Sequence, residues 1–100
     1  MNLSGKVCLI TGGTRGIGAA GAIALAEQGA NVAIVGRRDD EEAKGTKKAI
    51  EKLGRNCLLI AADVAKANEA TACVDRTVKE MGGIDVLVHS AGGPVNGGLM

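Results

Sequence analysis

The chain alternates short runs of apolar residues with longer segments in which apolar residues recur at helical spacing. Short apolar runs rich in β-branched residues predict strands that are buried on both faces of a sheet. The longer segments predict helices, each of which is followed by glycine. The predicted strands are residues 7–11, 32–35, 57–61 and 84–89, and the predicted helices are residues 16–28, 39–53 and 67–81.

Regular alternation of strands and helices is typical of a parallel sheet with right-handed crossovers. The sequence therefore predicts an α/β fold, a Rossmann-type doubly wound parallel sheet with strand order 3-2-1-4. In that order the fourth strand is an apolar edge, which proteins usually cover or charge. Since a full Rossmann sheet has further strands beside it, we expect residues 1–100 to be an incomplete domain that lacks the later strands.

The buried faces of the helices follow from the spacing of their apolar residues. On the first helix, one stripe contains Ile17, Ala20, Ala24 and Leu25. On the third helix, the predicted buried face consists of Ala67, Ala70, Val74, Val78 and Met81. The second helix has acidic residues at its start and lysines towards its end, which matches the helix dipole.

Composition narrows the classes of function. The apolar fraction is 46%, but the chain has no Phe, Trp or Tyr, so the core must be aliphatic. The formal net charge of +1 gives no strong attraction to nucleic acid or to a membrane surface. The apolar run after Lys6 is too short for a signal peptide or a membrane-spanning helix.

The cysteines indicate a reducing environment. Cys8, Cys57 and Cys73 are odd in number and lack the paired spacing of a zinc site. Cys8 and Cys57 lie in apolar runs, where thiols usually act as small buried hydrophobic groups. We therefore predict structural thiols, no metal site and a cytoplasmic location.

A glycine-rich loop connects the first predicted strand to the first predicted helix. It reads Thr11-Gly12-Gly13-Thr14-Arg15-Gly16-Ile17-Gly18. A phosphate can approach backbone N–H groups closely where side chains are absent, and a helix N-terminus stabilises its charge. An ordinary strand-to-helix turn is the alternative, but the register with strand and helix favours a nucleotide site. No Gly-Lys-Ser/Thr follows, which disfavours a P-loop.

A second glycine pattern overlaps the first. Residues 16–21 match G-x-G-x-x-G, but they start five residues beyond the strand, too late for the first glycine to make the turn. We interpret this match as a coincidence of register. Gly21 then lies inside the helix, where we expect it to permit close packing.

The end of the second strand indicates which cofactor would bind. An NAD site has a carboxylate there, whereas this sequence has Gly36-Arg37-Arg38. Arg37 can bind a 2′-phosphate bidentately, and Arg15 can reach the same phosphate from the glycine loop. Asp39 and Asp40 are predicted to cap the next helix. Exposed arginines are often only solvated surface, but the pattern favours NADP(H) over NAD(H).

Three motifs together resemble the short-chain dehydrogenase/reductase family over essentially the whole chain. They are the glycine loop, Asp63-Val64 after the third strand, and residues 83–88 followed by Ala91-Gly92. The resemblance implies a partial NAD(P)-binding Rossmann domain in which Asp63 and Val64 hold the adenine ring. The predicted cofactor-binding residues are Gly12, Thr14, Arg15, Gly16, Ile17, Gly18, Arg37, Arg38, Asp63, Val64, Ser90, Ala91 and Gly92.

The sequence departs from the family pattern in two places. The family usually has Asn-Asn before Ala-Gly, whereas this chain has His89-Ser90. Ser90 can still form a hydrogen bond, and His89 is expected to be a hydrogen-bonded structural residue rather than a general base. The family's catalytic Tyr-x-x-x-Lys pair is also missing, since the chain has no tyrosine. We therefore assign no catalytic residue.

Two functions from different classes remain. The first is the N-terminal part of an NADP(H)-dependent oxidoreductase that reduces carbonyls or oxidises alcohols, inactive by itself, with a small substrate in the full-length enzyme. The second is a non-catalytic dinucleotide-binding or interaction module. A methyltransferase binding S-adenosylmethionine is disfavoured because arginines stand where it would need an acidic residue. The resemblance implies a homo-oligomer for the full-length enzyme.

Overall fold

The computed structural model describes residues 2–90, which form four strands and three helices in alternation. In chain order they are β1 (Val7–Thr11), α1 (Gly16–Glu27), β2 (Asn31–Gly36), α2 (Glu41–Lys52), β3 (Cys57–Ala61), α3 (Ala67–Met81) and β4 (Val86–His89). All seven predicted elements are present, and their bounds differ from the predictions by at most two residues.

The four strands form one parallel sheet with the order β3-β2-β1-β4. In the centre of this sheet Leu9 of β1 lies beside Ala33 of β2 on one side and Leu87 of β4 on the other. The predicted Rossmann-type fold class and strand order are therefore confirmed.

Helices cover both faces of the sheet. Cys8 and Ile10 of β1 face α1 and α2 and pack in a core with Ala22 and Ile50. Leu9, which lies between them in the chain, points to the other face and packs in a second core with Cys73 of α3. Successive residues of a strand point to opposite faces, so a continuous apolar run fills both cores.

Of the apolar stripe predicted for α1, Leu25 is half-buried against the core, but the other three residues are exposed. The structure buries Gly18, Ala22 and Ala26, whereas Ile17 is 89% exposed. Nearly every residue of α1 is small or apolar, so periodicity does not mark its inner face. The small residues there allow the helix to lie close to the sheet.

The prediction for α3 is also partly wrong. Its buried residues are Cys73 and Thr77, while Val74 and Val78 are 38% and 46% exposed. The helix contacts β1 and β2, which fixes its inner face. Burial of a threonine costs little here because the Thr77 hydroxyl donates to the Cys73 carbonyl oxygen at 2.8 Å.

Strand β4 is the exposed edge that the sequence predicts. Among residues 2–90 it pairs with β1 alone, and its Leu87 is 60% exposed. The same residue type at the neighbouring position, Leu9 in β1, is 1% exposed. Residues 2–90 therefore leave part of the apolar surface of β4 uncovered.

The cysteines fit the structural role predicted for them. All three are free, with Cys8 and Cys73 buried and Cys57 half-buried. Burial raises the pKa of each thiol, and it raises the pKa of Cys57 to about 12. The thiols are therefore protonated at neutral pH. Separately, no helix in residues 2–90 combines the length and apolar character needed to cross a bilayer.

Candidate dinucleotide-binding site

The predicted site residues gather along one edge of the sheet. The strands are parallel, so the segments that follow their carboxyl ends lie at the same edge. These segments contain the glycine loop after β1, Arg37 and Arg38 after β2, Asp63 and Val64 after β3, and Ser90 after β4. The predicted residues Ala91 and Gly92 lie outside the described part of the chain.

Gly12 makes the turn off β1. It has a φ of 76°, and its N–H donates to the Val35 carbonyl oxygen at 2.8 Å. A Cβ at this position would overlap the carbonyl oxygen of Ser90. The predicted turn is confirmed, and only glycine lets the end of β4 lie this close to the loop.

Gly18 brings the start of α1 against the same turn. A Cβ there would overlap the Gly12 carbonyl oxygen, so the first turn of the helix lies directly on the loop. Gly21 has no such role, because a Cβ there would meet nothing within 4 Å. The expectation that Gly21 permits close packing is wrong.

The N-terminus of α1 has no side-chain cap. Arg15 occupies the N-cap position without a capping hydrogen bond, and the first turn contains no acidic residue. Backbone N–H groups at a helix start have no partner within the helix, and they lie at the positive end of its dipole. This end of α1 can therefore bind an anion such as a pyrophosphate.

Thr14 links the glycine loop to β2 and α2. It is 2% exposed, and its side chain occupies the space that a Cβ on Gly36 would need. The Thr46 hydroxyl of α2 donates to the Thr14 carbonyl oxygen at 2.8 Å. Sequence reasoning missed Thr46, although it shares a helical stripe with Ala43 and Ile50, which are also buried.

Arg37 and Arg38 are exposed directly after β2. Within residues 2–90 neither side chain forms an ion pair. Gly36 before them has no side chain, and Thr14 fills the space that one would take. The end of β2 therefore presents cations without a carboxylate at Gly36, as the sequence predicts.

The Arg15 side chain points towards the start of α2, where it contacts two carboxylates. Its Nη2 lies 2.7 Å from Asp40 Oδ2 and 2.9 Å from Oδ1, and its Nη1 lies 3.0 Å from Glu42 Oε1. The hydrogen bonding of Asp40 with Arg15, and then the bond it accepts from the Ala43 N–H, lower the pKa of the Asp40 carboxyl group. The predicted reach of Arg15 to a 2′-phosphate stays a prediction.

Asp40 is the N-cap of α2. Its Oδ1 accepts from the Ala43 N–H at 3.0 Å, which confirms the capping role predicted for this position. Asp39, which was named with it, lies one residue before the cap and is exposed. Asp40 therefore serves both as the cap of α2 and as the partner of Arg15.

Asp63 and Val64 lie in a turn that is fixed by local hydrogen bonds. Asp63 Oδ1 accepts from the Ala65 N–H at 3.0 Å, and the Asp63 N–H donates to Glu69 Oε1 at 2.8 Å. Val64 packs at the margin of the core under α3. Glu69 is a supporting residue that the sequence did not reveal.

His89 and Ser90 are tied to the end of β1. His89 Nδ1 and Thr11 Oγ1 are hydrogen-bonded at 2.7 Å, and the Ser90 N–H donates to the Thr11 carbonyl oxygen at 2.9 Å. The expectation that His89 is a hydrogen-bonded residue is therefore confirmed. Among residues 2–90, no group of three His, Cys, Asp or Glu side chains could hold a metal ion.

Taken with the fold, this edge defines an α/β nucleotide-binding domain with a glycine loop at the start of α1. Comparison with known proteins then gives its family. The short chain dehydrogenase family matches residues 6–99, and the chain belongs to that family.

The relatives are longer than this chain. General stress protein 39 of Bacillus subtilis (strain 168) is 51% identical over 90 residues, which are 90% of this chain and 32% of that protein. A short chain dehydrogenase from Burkholderia cenocepacia J2315, solved in complex with NADP, is 46% identical with a TM-score of 0.87. That match covers 92% of this chain and 38% of the other.

A second solved structure, an NAD+-bound xylitol dehydrogenase, is 32% identical with a TM-score of 0.79. That match covers 87% of this chain and 33% of the xylitol dehydrogenase chain. The chain thus spans about a third of the length of these relatives.

Proposed function

We propose that this chain is the N-terminal cofactor-binding part of an NADP(H)-dependent oxidoreductase of the short-chain dehydrogenase/reductase type. The observation that carries the proposal is the uncapped start of α1, which lies directly against a glycine turn at the carboxyl edge of a parallel sheet. Family membership supports the same function.

In this proposal each segment at the edge binds one part of the dinucleotide. The backbone N–H groups of Gly16, Ile17 and Gly18 bind the pyrophosphate at the positive end of α1. Asp63 and Val64 hold the adenine ring, and residues 90–92 bind the nicotinamide ribose. Bound nicotinamide supplies the hydride acceptor or donor.

The preference for NADP(H) over NAD(H) rests on charge at the end of β2. Arg37 and Arg38 are exposed there, and Gly36 provides no carboxylate for a ribose 2′-hydroxyl. An acidic side chain at Gly36 would also have to displace the buried Thr14. One solved neighbour holds NADP and another NAD+, so the preference is proposed from these residues of the chain itself.

The chemical step belongs to residues other than these 100 in this proposal. The chain has no tyrosine, and its relatives are about three times as long. The full-length enzyme would interconvert a small carbonyl compound and its alcohol as a cytoplasmic homo-oligomer. A non-catalytic dinucleotide-binding module is the second candidate, which the lack of a Tyr-x-x-x-Lys pair in these residues favours. Assay of NADPH oxidation with a carbonyl panel separates the two only for a protein that extends beyond these 100 residues: the oxidoreductase predicts turnover there, and the binding module predicts none.

Calorimetric titration with NADPH and NADH tests the cofactor proposal. We expect tighter binding of NADPH, and we expect Arg37→Ala to weaken NADPH binding without a comparable loss for NADH. Arg76→Ala is the matched control, because Arg76 is an exposed arginine of α3 that pairs with Glu80. Circular dichroism establishes that each sample is folded. Equal affinity for the two cofactors, or an equal effect of both variants, would reject the preference.

A further inference from the structure

The side chain of Arg15 forms hydrogen bonds to two carboxylates. Asp40 binds its Nη2 with both oxygens, at 2.7 and 2.9 Å, and Glu42 binds its Nη1 at 3.0 Å. Three hydrogen bonds therefore occupy the outer donors of a guanidinium whose planar fork suits carboxylate and phosphate equally well.

The two carboxylates also lie close in sequence to the other cations of the site. Asp40 and Glu42 follow Arg37 and Arg38 by only a few residues at the start of α2. Arg15 approaches the same helix start from the glycine loop. Any phosphate group bound between the loop and the end of β2 therefore meets Arg15 already paired with negative charge.

The ion pairs are exposed and can exchange partners. The side chains of Arg15, Asp40 and Glu42 are 44%, 36% and 59% exposed. Exposed ion pairs contribute little free energy, so they do not lock the arginine in place. A phosphate group carries more charge than one carboxylate and offers three acceptor oxygens. A phosphate group can therefore displace the two carboxylates from Arg15, but their negative charge repels it and weakens its binding.

We propose that Asp40 and Glu42 are specificity-determining residues that compete with the cofactor's 2′-phosphate for Arg15. This inference rests on the proposed NADP(H) function. The two carboxylates lower affinity for NADP(H) selectively, because NAD(H) has no 2′-phosphate and does not need the arginine. They thereby set how strongly the chain discriminates between the two cofactors.

Conservative amide variants remove the charge with little change of shape. Asp40→Asn keeps a good N-cap residue, so the start of α2 remains capped. Glu42→Gln changes the second partner of Arg15. Glu41→Gln is the matched control, because Glu41 lies in the same first turn and forms no ion pair within residues 2–90.

The test is calorimetric titration of each variant with NADPH, NADH and 2′,5′-ADP. Since exposed pairs contribute modestly, we expect Asp40→Asn and Glu42→Gln each to tighten NADPH and 2′,5′-ADP binding about threefold, with NADH unchanged. Glu41→Gln should have a smaller effect. In an Arg15→Ala background, the gain from Asp40→Asn should disappear.

Every other result overturns the inference. Weaker NADPH binding by Asp40→Asn would show that the carboxylate prepares Arg15 for phosphate. An effect equal to that of Glu41→Gln, or an equal gain for NADH, would show only a change in overall charge. Failure of the proposed function looks different, because wild type would then bind NADH as tightly as NADPH or bind neither, and the inference would fall with it.

Discussion

Helices α1 and α2 begin at the same edge of the sheet, but their first turns have opposite chemistry. The start of α1 has no side-chain cap and no acidic residue. The start of α2 is capped by Asp40, and Glu41 and Glu42 follow in its first turn. Caps and acidic residues stabilise a helix start. The chain thus stabilises one helix start internally and leaves the other, where we propose that the pyrophosphate binds, without a side-chain cap.

The stabilised helix also supports the uncapped one. Thr46 of α2 donates to the carbonyl oxygen of Thr14 in the glycine loop. Arg15, the N-cap residue of α1, pairs with Asp40 and Glu42 of α2. The loop is therefore positioned by side chains of the neighbouring helix and not by a cap of its own.

Among the variants that test this comparison of the two helix starts, Gly18→Ala is expected to change stability and binding most. Its Cβ would overlap the Gly12 carbonyl oxygen, so the start of α1 must move away from the turn. We expect a loss of about 2 kcal/mol in the free energy of unfolding, measured by urea denaturation, and weaker NADPH binding. Gly21→Ala is the control in the same helix, and it should raise the free energy of unfolding by up to about 1 kcal/mol. Equal effects of the two variants would contradict the role given to Gly18.

Thr46→Val tests the support that α2 gives to the loop. The variant keeps the shape but leaves the Thr14 carbonyl oxygen without its hydroxyl donor, at an expected cost of about 1 kcal/mol. Thr77→Val is matched, because both threonines are buried and both hydroxyls contact the carbonyl four residues earlier in their own helix, whereas Thr46 alone of the two also contacts the glycine loop. Urea denaturation of both should show the smaller loss for Thr77→Val. A larger loss of stability for Thr77→Val than for Thr46→Val would contradict the role of Thr46 in supporting the glycine loop.

Ile17→Glu would give α1 the kind of first turn that α2 has. Ile17 is 89% exposed, so the new carboxylate is accommodated at the surface. We expect a gain of about 0.5 kcal/mol in stability from the helix dipole, together with weaker binding of NADPH and NADH. Thermal denaturation and calorimetry measure the two effects. Unchanged binding would show that the pyrophosphate does not bind at this helix start.

The smallest effect concerns the pH dependence of the α2 start. The Arg15 hydrogen bond and the Ala43 N–H lower the pKa of Asp40 in the folded state. The carboxylate therefore stabilises the fold above roughly pH 4, the ordinary range of the group, and this contribution is lost as the pH falls through the lowered value. Wild type should exceed Asp40→Asn in stability at pH 7, and the difference should shrink below pH 4. A difference independent of pH would contradict this.

Local patterns predicted much of the fold and some of the local geometry at the candidate site. The four apolar runs defined the strands, and alternation with helices defined their parallel order. The glycine turn at Gly12 and the cap at Asp40 also follow from short segments. Each of these features depends on neighbours in the chain, which a sequence shows directly.

The parts that could not be predicted depend on contacts between distant segments. The prediction of the inner face of α1 was mostly wrong because almost all residues of that helix are small or apolar. The partners of Arg15 lie at the start of another helix, and the fit of Thr14 against Gly36 joins the glycine loop to the end of β2. No periodicity encodes which of several acidic residues an arginine will meet.

Hydrogen exchange with and without NADPH tests most directly whether the uncapped start of α1 is the dinucleotide site. The account predicts slower exchange in residues 12–18 and 36–38 when NADPH is present. Residues 53–56, at the opposite edge of the sheet, should exchange at the same rate in both samples. Unchanged exchange in residues 12–18 under saturating NADPH, or protection confined to residues 53–56, would contradict it.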